Sequence, residues 1–104
     1  GIDGIMPWKP QNGVKHNYAY FPVLFDKDVF GKSRDEVAEK LLEDGIFARK
    51  YFYPITSEFE CYKGKVTIQP TPIAKKAAEK VLTLPMYADL ALDDVDRICD
   101  IILK

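Results

Sequence analysis

Three side chains at alternate positions, Arg49, Tyr51 and Tyr53, have the residue types and spacing best suited to binding chemistry in this sequence. An arginine guanidinium clamps a carboxylate or a phosphate through two parallel hydrogen bonds. Tyrosine hydroxyls add polar groups at the rim of a pocket. In an extended segment all three would lie on one strand face. They are therefore candidates for substrate binding; the alternatives are a surface ion pair for Arg49 and core or domain-interface packing for the tyrosines.

The single histidine, His16, has no partner for acid–base chemistry in the sequence around it. A general base needs a second group within hydrogen-bond reach, and no acid, nucleophile or second ligand is placed beside it by the sequence. The two cysteines, Cys61 and Cys99, are too far apart to form a ligand pair. The residues alone therefore assign no catalytic residue and no metal ligand.

The first half of the chain contains two predicted strands and one helix that would position these residues. Tyr18–Phe25 is rich in aromatic and β-branched residues, which predicts a strand; Pro22 inside it predicts an edge or a bulge. Ser33 and Glu36 form a capping box for a helix with an apolar stripe, ending near Gly45. Ile46–Tyr53 is predicted as the second strand.

The second half contains a long loop, a helix, a strand and a final helix. The loop covers Ile55–Gln69, and a helix follows from Thr71 and Pro72 to about Lys80. Val81–Leu84 is the third predicted strand. Apolar residues at helical spacing predict the last helix, with Cys99 interpreted as a core residue: Leu92, Val95, Ile98, Cys99 and Ile102.

The order β-α-β-loop-α-β-α predicts an α+β fold, a two-layer sandwich with helices on one face. The sheet is expected to be small, antiparallel or mixed and three-stranded, with about three helices. The 104 residues suit one domain, and residues 1–16 show neither helix nor strand patterning. Those sixteen residues are interpreted as a connection to something upstream or as a frayed terminus.

Composition and charge exclude several classes of function. The formal net charge is −1, so no global field favours nucleic acid or an anionic membrane. No apolar run approaches the ~20 residues of a membrane span. The scattered helical lysines are predicted to be a solvated face. A disulfide is not expected, and the cytoplasm is the default compartment.

Two stretches of the chain carry motifs that resemble a known family. The first, RDEVAEKLLEDGIFARKYFYP, contains Gly45, Ile46, Arg49, Tyr51, Phe52 and Pro54. The second, IAKKAAEKVLTLPMYADLALDDVDRICDIIL, contains V-L-x-L-P-x-Y at 81–87 and D-V-D at 94–96. A weaker match is HNYAYFPVLF at 16–25. Together they resemble the C-terminal small domain of the DegT/DnrJ/EryC1/StrS family of nucleotide-sugar aminotransferases.

The resemblance implies a fold-type-I enzyme that uses pyridoxal phosphate and transfers an amino group from glutamate to a nucleotide-linked keto sugar. It implies a small domain at 17–104, with residues 1–16 as a linker from a large domain that carries the catalytic lysine. The fragment alone is expected to be inactive and to bind no cofactor, although the full-length enzyme would be a homodimer. His16, Asn17 and Tyr18 would lie where the small and large domains meet, and they join the candidate site residues.

The sequence departs from the family pattern at two positions. Thr56 stands where many members have a histidine, and Ala91 stands where the last helix usually has a serine or threonine cap. The alternative hypothesis is a self-contained α+β module that binds a ligand or has a regulatory role. The fragment hypothesis predicts a bare apolar face where the large domain docked; the module hypothesis predicts a well-covered monomer.

Overall fold

The chain folds around a small antiparallel sheet with helices packed on it, as a computed structural model covering residues 1–104 shows. Two 3₁₀ turns, Thr56–Glu58 and Glu60–Tyr62, lie in the predicted long loop. The predicted three-stranded sheet and α+β class are confirmed, with four helices. The elements are β1 (Ile5–Pro7), β2 (Phe21–Phe25), α1 (Lys27–Phe30), α2 (Arg34–Glu43), α3 (Pro72–Lys80), β3 (Val81–Leu84) and α4 (Leu92–Leu103).

The sheet has the order β1-β2-β3, and its first strand lies in a segment predicted to have no regular structure. β1 pairs with β2 in the register Ile5↔Phe25. Gly4 holds this strand close to α1: its φ is +82°, and a Cβ there would lie 2.5 Å from the backbone nitrogen of Phe30. The expectation that residues 1–16 contain no strand is therefore wrong at Ile5–Pro7.

The predicted strand Ile46–Tyr53 is also wrong. The segment touches the sheet through one isolated antiparallel bridge, between Arg49 and Thr83. Phe52 adopts a left-handed backbone, with φ of 56°, which ends any extended run. The neighbouring strand β3 has only four residues. The alternation of apolar residues within 46–53 could not reveal how short this partner strand is.

β2 is the central strand, so the expectation that Pro22 marks an edge strand or a bulge is wrong. β1 ends at Pro7, opposite Val23, and the Pro22 carbonyl still accepts from the Trp8 N–H at 3.1 Å. The missing proline N–H therefore falls where β1 has already ended. The strand begins at Phe21 and not at Tyr18, whose φ of 53° breaks the extended conformation.

The hydrophobic core lies between one face of the sheet and helices α2 and α4. Alternation along β2 and β3 turns Val23, Phe25 and Leu82 toward this core. Cys99 is exposed, so its assignment to the core is wrong; Ile98 and Ile102 face inward instead. The core residues are Val23, Phe25, Val37, Leu41, Leu82, Ile98 and Ile102.

Helix α2 begins with the predicted capping box. The Ser33 hydroxyl accepts from the Glu36 N–H at 3.2 Å, and the Glu36 carboxylate accepts from the Ser33 N–H at 2.6 Å. Lys27 adds an ion pair to Glu36 at 3.2 Å. Three interactions lower the pKa of Glu36 from 4.5 to about 2. The largest effect comes from the hydrogen bond of the Ser33 backbone N–H, followed by the Ser33 hydroxyl and then by Lys27.

This lowered pKa predicts a specific acid sensitivity. A carboxylate with a depressed folded-state pKa stabilises the fold above its unfolded pKa and loses that contribution as the pH falls toward the folded value. Stability should therefore decline between about pH 5 and about pH 2, and Glu36→Gln should flatten the decline. Urea unfolding across this range measures it. The matched control is Glu39→Gln, exposed on the same helix; an equal flattening in the control would contradict the prediction.

Candidate functional site

Arg49 is held at the outer edge of β3. Its N–H donates to the Thr83 carbonyl at 3.0 Å, and its carbonyl accepts from the Thr83 N–H at 2.8 Å. The exposed guanidinium donates from Nη1 to the Tyr51 hydroxyl at 2.9 Å. Arg49 has no carboxylate within ion-pair distance, so it is not the surface ion pair that was its alternative interpretation. Arg49 and Tyr51, which were expected on one strand face, are joined by this hydrogen bond although the strand itself is absent.

A small cavity opens beside this pair. It has a volume of about 260 Å³, and its lining residues include Arg49, Tyr51, Tyr20 and Thr83. The Tyr20 ring meets the Tyr51 ring edge-on, with centroids 5.0 Å apart, an arrangement favoured by aromatic quadrupoles. Tyr20 is thus a site residue that the sequence pattern did not single out, because it lies on a different segment.

Tyr53 does not join Arg49 and Tyr51, so the expectation that the three share one strand face is wrong. Because Phe52 is left-handed, the chain turns between the two tyrosines. The Tyr53 ring instead stacks on the guanidinium of Arg34, with 4.6 Å from the Arg34 Cζ to the ring centroid.

Arg34 is a buried arginine that joins helix α2 to the end of α3. Its side chain is 2% exposed, and Nη1 donates to the carbonyls of Ala78 and Val81 at 3.0 and 3.1 Å. Nε lies 2.9 Å from the Asp35 carboxylate, within ion-pair distance. The pKa of Asp35 is lowered, chiefly by a hydrogen bond from Lys50. Desolvation acts in the opposite direction, and the nearby charge of Arg34 lowers this pKa further.

His16, Asn17 and Tyr18 form a compact turn before β2. The Tyr18 N–H donates to His16 Nδ1 at 2.9 Å, and the Ala19 N–H donates to Asn17 Oδ1 at 3.2 Å. The His16 ring packs on Trp8 with centroids 4.1 Å apart. These side chains use their polar atoms to hold a turn that exposes the Tyr18 ring. No hydrogen bond, ion pair or ring contact joins this turn directly to Arg49.

A larger groove of about 720 Å³ lies on the face of the sheet opposite the core. Met6 and Leu24 line its floor, and helix α3 lines one wall, so α3 borders this face while α2 and α4 cover the other. Trp8 and Phe52 lie at its border. Tyr51 lines both this groove and the small cavity, so it forms the wall between them.

The arrangement is suited to binding a ligand. The guanidinium keeps free N–H donors after its bond to Tyr51, and the aromatic rings offer flat apolar surface. No group of His, Cys, Asp and Glu residues is placed to hold a metal ion. None of the helices has the length and apolar character needed to cross a membrane.

Comparison with known proteins identifies sugar aminotransferases as relatives. Escherichia coli dTDP-4-amino-4,6-dideoxy-D-glucose transaminase is 40% identical over 105 residues, covering 99% of this chain and 28% of that protein. The Shigella dysenteriae transaminase of the same name is 39% identical, covering 93% of this chain and 26% of the relative. The chain therefore spans about a quarter of the length of these relatives.

Solved structures show the same fold. The crystal structure of DesI in the presence of its TDP-sugar product superposes with a TM-score of 0.88 at 31% identity, covering 96% of this chain and 25% of DesI. Helicobacter pylori PseC, an aminotransferase involved in pseudoaminic acid biosynthesis, matches 95% of this chain and 26% of its own at a TM-score of 0.80. At 24% identity that second likeness concerns the fold alone. The model of the DegT/DnrJ/EryC1/StrS aminotransferase family matches residues 1–103, and the chain belongs to that family.

Proposed function

We propose that this chain is the C-terminal small domain of a pyridoxal-phosphate-dependent enzyme that transfers an amino group from glutamate to a nucleotide-linked keto sugar. The observation that carries the proposal is the family match over residues 1–103, together with 40% identity to a transaminase of a dTDP-linked dideoxy amino sugar. A more distant relative acts on a UDP-linked sugar. The nucleotide-linked sugar is thus the common substrate class, and the dTDP-linked form is the first choice for this chain.

No lysine lines the groove or the small cavity of this chain. Pyridoxal phosphate is carried on a lysine, whose amine forms the Schiff base. We therefore assign the cofactor and the catalytic lysine to the remainder of the protein. The residues of this chain would then act on the substrate by binding and orienting it.

The proposed contribution of this chain is to cover and shape the active site. Only eight apolar residues are buried, whereas Phe47, Phe52, Ile73 and Leu92 are each at least 75% exposed. The open groove, lined by Met6, Leu24 and Phe52 among others, is a contiguous apolar surface, and such a surface favours a partner, which we propose is the large domain of the same polypeptide. The complete enzyme would be a homodimer, as in the family that the sequence resembles.

The candidate residues enter this proposal as two groups. Arg49 and Tyr51 would face the substrate from the small cavity, and His16, Asn17 and Tyr18 would face the large domain from their turn. Tyr53 supports this surface indirectly, since its ring is committed to Arg34. We propose residues 1–16 as the connection to the large domain, with Ile5–Pro7 of that connection adding a strand to the sheet.

We place the activity in the cytoplasm. The two cysteines, Cys61 and Cys99, are free thiols, and reducing compartments keep thiols in that state. The test of this placement is fractionation of cells that produce the complete protein, with the protein expected in the cytosolic fraction.

The experiment that tests the function uses the complete protein that contains this chain. Incubation with glutamate and a dTDP-linked 4-keto-6-deoxy sugar is expected to yield 2-oxoglutarate and the amino sugar, measured by mass spectrometry. The 104-residue chain is titrated in parallel with pyridoxal phosphate, followed by borohydride reduction and mapping of the modified lysine. A single saturable adduct on the chain alone would contradict the fragment proposal. Ligand binding by a monomeric chain, without transamination by the complete protein, would favour a self-contained binding module.

A further inference from the structure

Arg49 differs from the other two arginines of the chain in having no carboxylate partner. Arg34 lies 2.9 Å from Asp35, and Arg97 lies 3.7 Å from Asp44. The hydrogen-bond partner of the Arg49 side chain is the hydroxyl of Tyr51. Its positive charge is therefore available to a ligand, whereas the charges of the other two arginines already face carboxylates.

The guanidinium is held in place before any ligand arrives. Two backbone hydrogen bonds to Thr83 fix the main chain of Arg49 on β3, and Thr83 is itself buried. The Tyr51 hydroxyl orients the guanidinium, and the Tyr20 ring supports Tyr51 from the side. Such support reduces the conformational entropy that a flexible arginine loses on binding.

The size of the cavity restricts what can enter it. Its volume of about 260 Å³ falls below the roughly 300–1,000 Å³ of sites that enclose a whole drug-sized ligand. One charged end group of a larger molecule suits this space. The hydrogen-bonding fork of arginine matches planar carboxylates and phosphates, and the hydroxyl of Tyr51 adds a further donor.

We infer that the cavity bounded by Arg49, Tyr51, Tyr20 and Thr83 is a subsite for the oxyanion end of a substrate. The shared chemistry is a carboxylate or a phosphate oxygen bound by the guanidinium and the tyrosine hydroxyl. The inference deepens the proposed function, in which the amino donor carries carboxylates and the nucleotide-linked sugar carries phosphates. Its first test is a binding measurement and needs no turnover.

Direct binding is measured on the chain itself, by NMR of the arginine Nε–H groups during separate titrations with inorganic phosphate and with glutamate. The Arg49 signal is expected to shift saturably with at least one of the two. Arg49→Gln should weaken binding by at least about tenfold, because the paired hydrogen bonds are lost. Arg97→Gln is the matched control and should bind as the wild type does. No shift of the Arg49 signal, or equal binding by both variants, overturns the inference.

Kinetics of the complete protein identify the source of the oxyanion. If the subsite takes the donor carboxylate, Arg49→Gln raises the KM for glutamate and leaves that for the nucleotide-linked sugar unchanged. If it takes a phosphate, the pattern reverses. An active Arg49→Gln enzyme with both KM values unchanged overturns the assignment to a substrate. A complete protein without transamination, whose Arg49 signal still shifts with an anion, contradicts the proposed function and leaves the oxyanion subsite standing.

Discussion

Replacement of Leu41 by alanine is expected to destabilise the chain by about 2–5 kcal/mol, the range for removing a fully buried leucine side chain. Leu41 is 0% exposed and lies in the core between the sheet, α2 and α4. Only ten residues of the chain are buried, so few neighbouring side chains are available to fill the cavity that the substitution leaves. Since whole domains are stable by about 5–15 kcal/mol, this loss is a large fraction of the total.

The neighbouring Leu42 is a matched control for this experiment. It has the same side chain on the same helix but is 52% exposed, so Leu42→Ala should change stability by no more than about 0.5 kcal/mol. Urea unfolding followed by circular dichroism measures both variants. Similar losses in the two variants would contradict the position of the core described for α2.

Replacement of Arg34 by alanine is the second change with a large expected effect, about 3 kcal/mol, since a hydrogen bond to a charged group contributes about 1.5–3 kcal/mol. Arg34 donates to the carbonyls of Ala78 and Val81. Its loss leaves two carbonyls at the end of α3 without that donor, and it removes the surface on which the Tyr53 ring stacks. The junction between α2, α3 and β3 should loosen.

Arg97→Ala tests whether burial is the cause of that effect. Arg97 also donates to a backbone carbonyl, that of Asp44, at 2.8 Å, but its side chain is 53% exposed. Exposed pairs of this kind contribute about 0–1 kcal/mol, so the loss should be much smaller than for Arg34. Thermal or urea unfolding compares the two. Equal losses would show that burial of the Arg34 side chain is not the cause of the larger effect.

Local signals were sufficient to predict α2, α3, α4 and two of the strands, but not the short helix α1, which lies in a segment predicted as a loop. The capping box at Ser33, Pro72 at the start of α3 and the apolar run 81–84 act over a few residues, and each predicted element is present. The first strand was not predictable in this way. β1 has only three residues, and it exists because β2 offers a free edge and Gly4 permits close approach to α1.

The candidate site was predictable to the extent that its residues are close in sequence. Arg49 and Tyr51 are two residues apart and are hydrogen-bonded, whereas strict alternation, which placed Tyr53 on the same face, assumed an extended chain through Phe52. The sequence did not indicate that Tyr20 contacts Tyr51 or that Trp8 lines the same groove as Tyr51. Both arrangements depend on how distant segments of the chain pack. Arg34 was missed because a charged residue at a helix start is normally exposed; its signal was its position on the stripe of Val37 and Leu41.

The pairing at both sides of the sheet limits how this chain can associate with others. On β1, the N–H of Ile5 donates to Ile2, and Pro7 has no N–H to offer. On β3, the N–H of Val81 donates to Ala77, and the N–H of Thr83 donates to Arg49. An incoming strand would find no row of free donors on either side, which is a natural protection against edge-to-edge aggregation. Association with a partner, including a second copy, by extension of this sheet is therefore disfavoured.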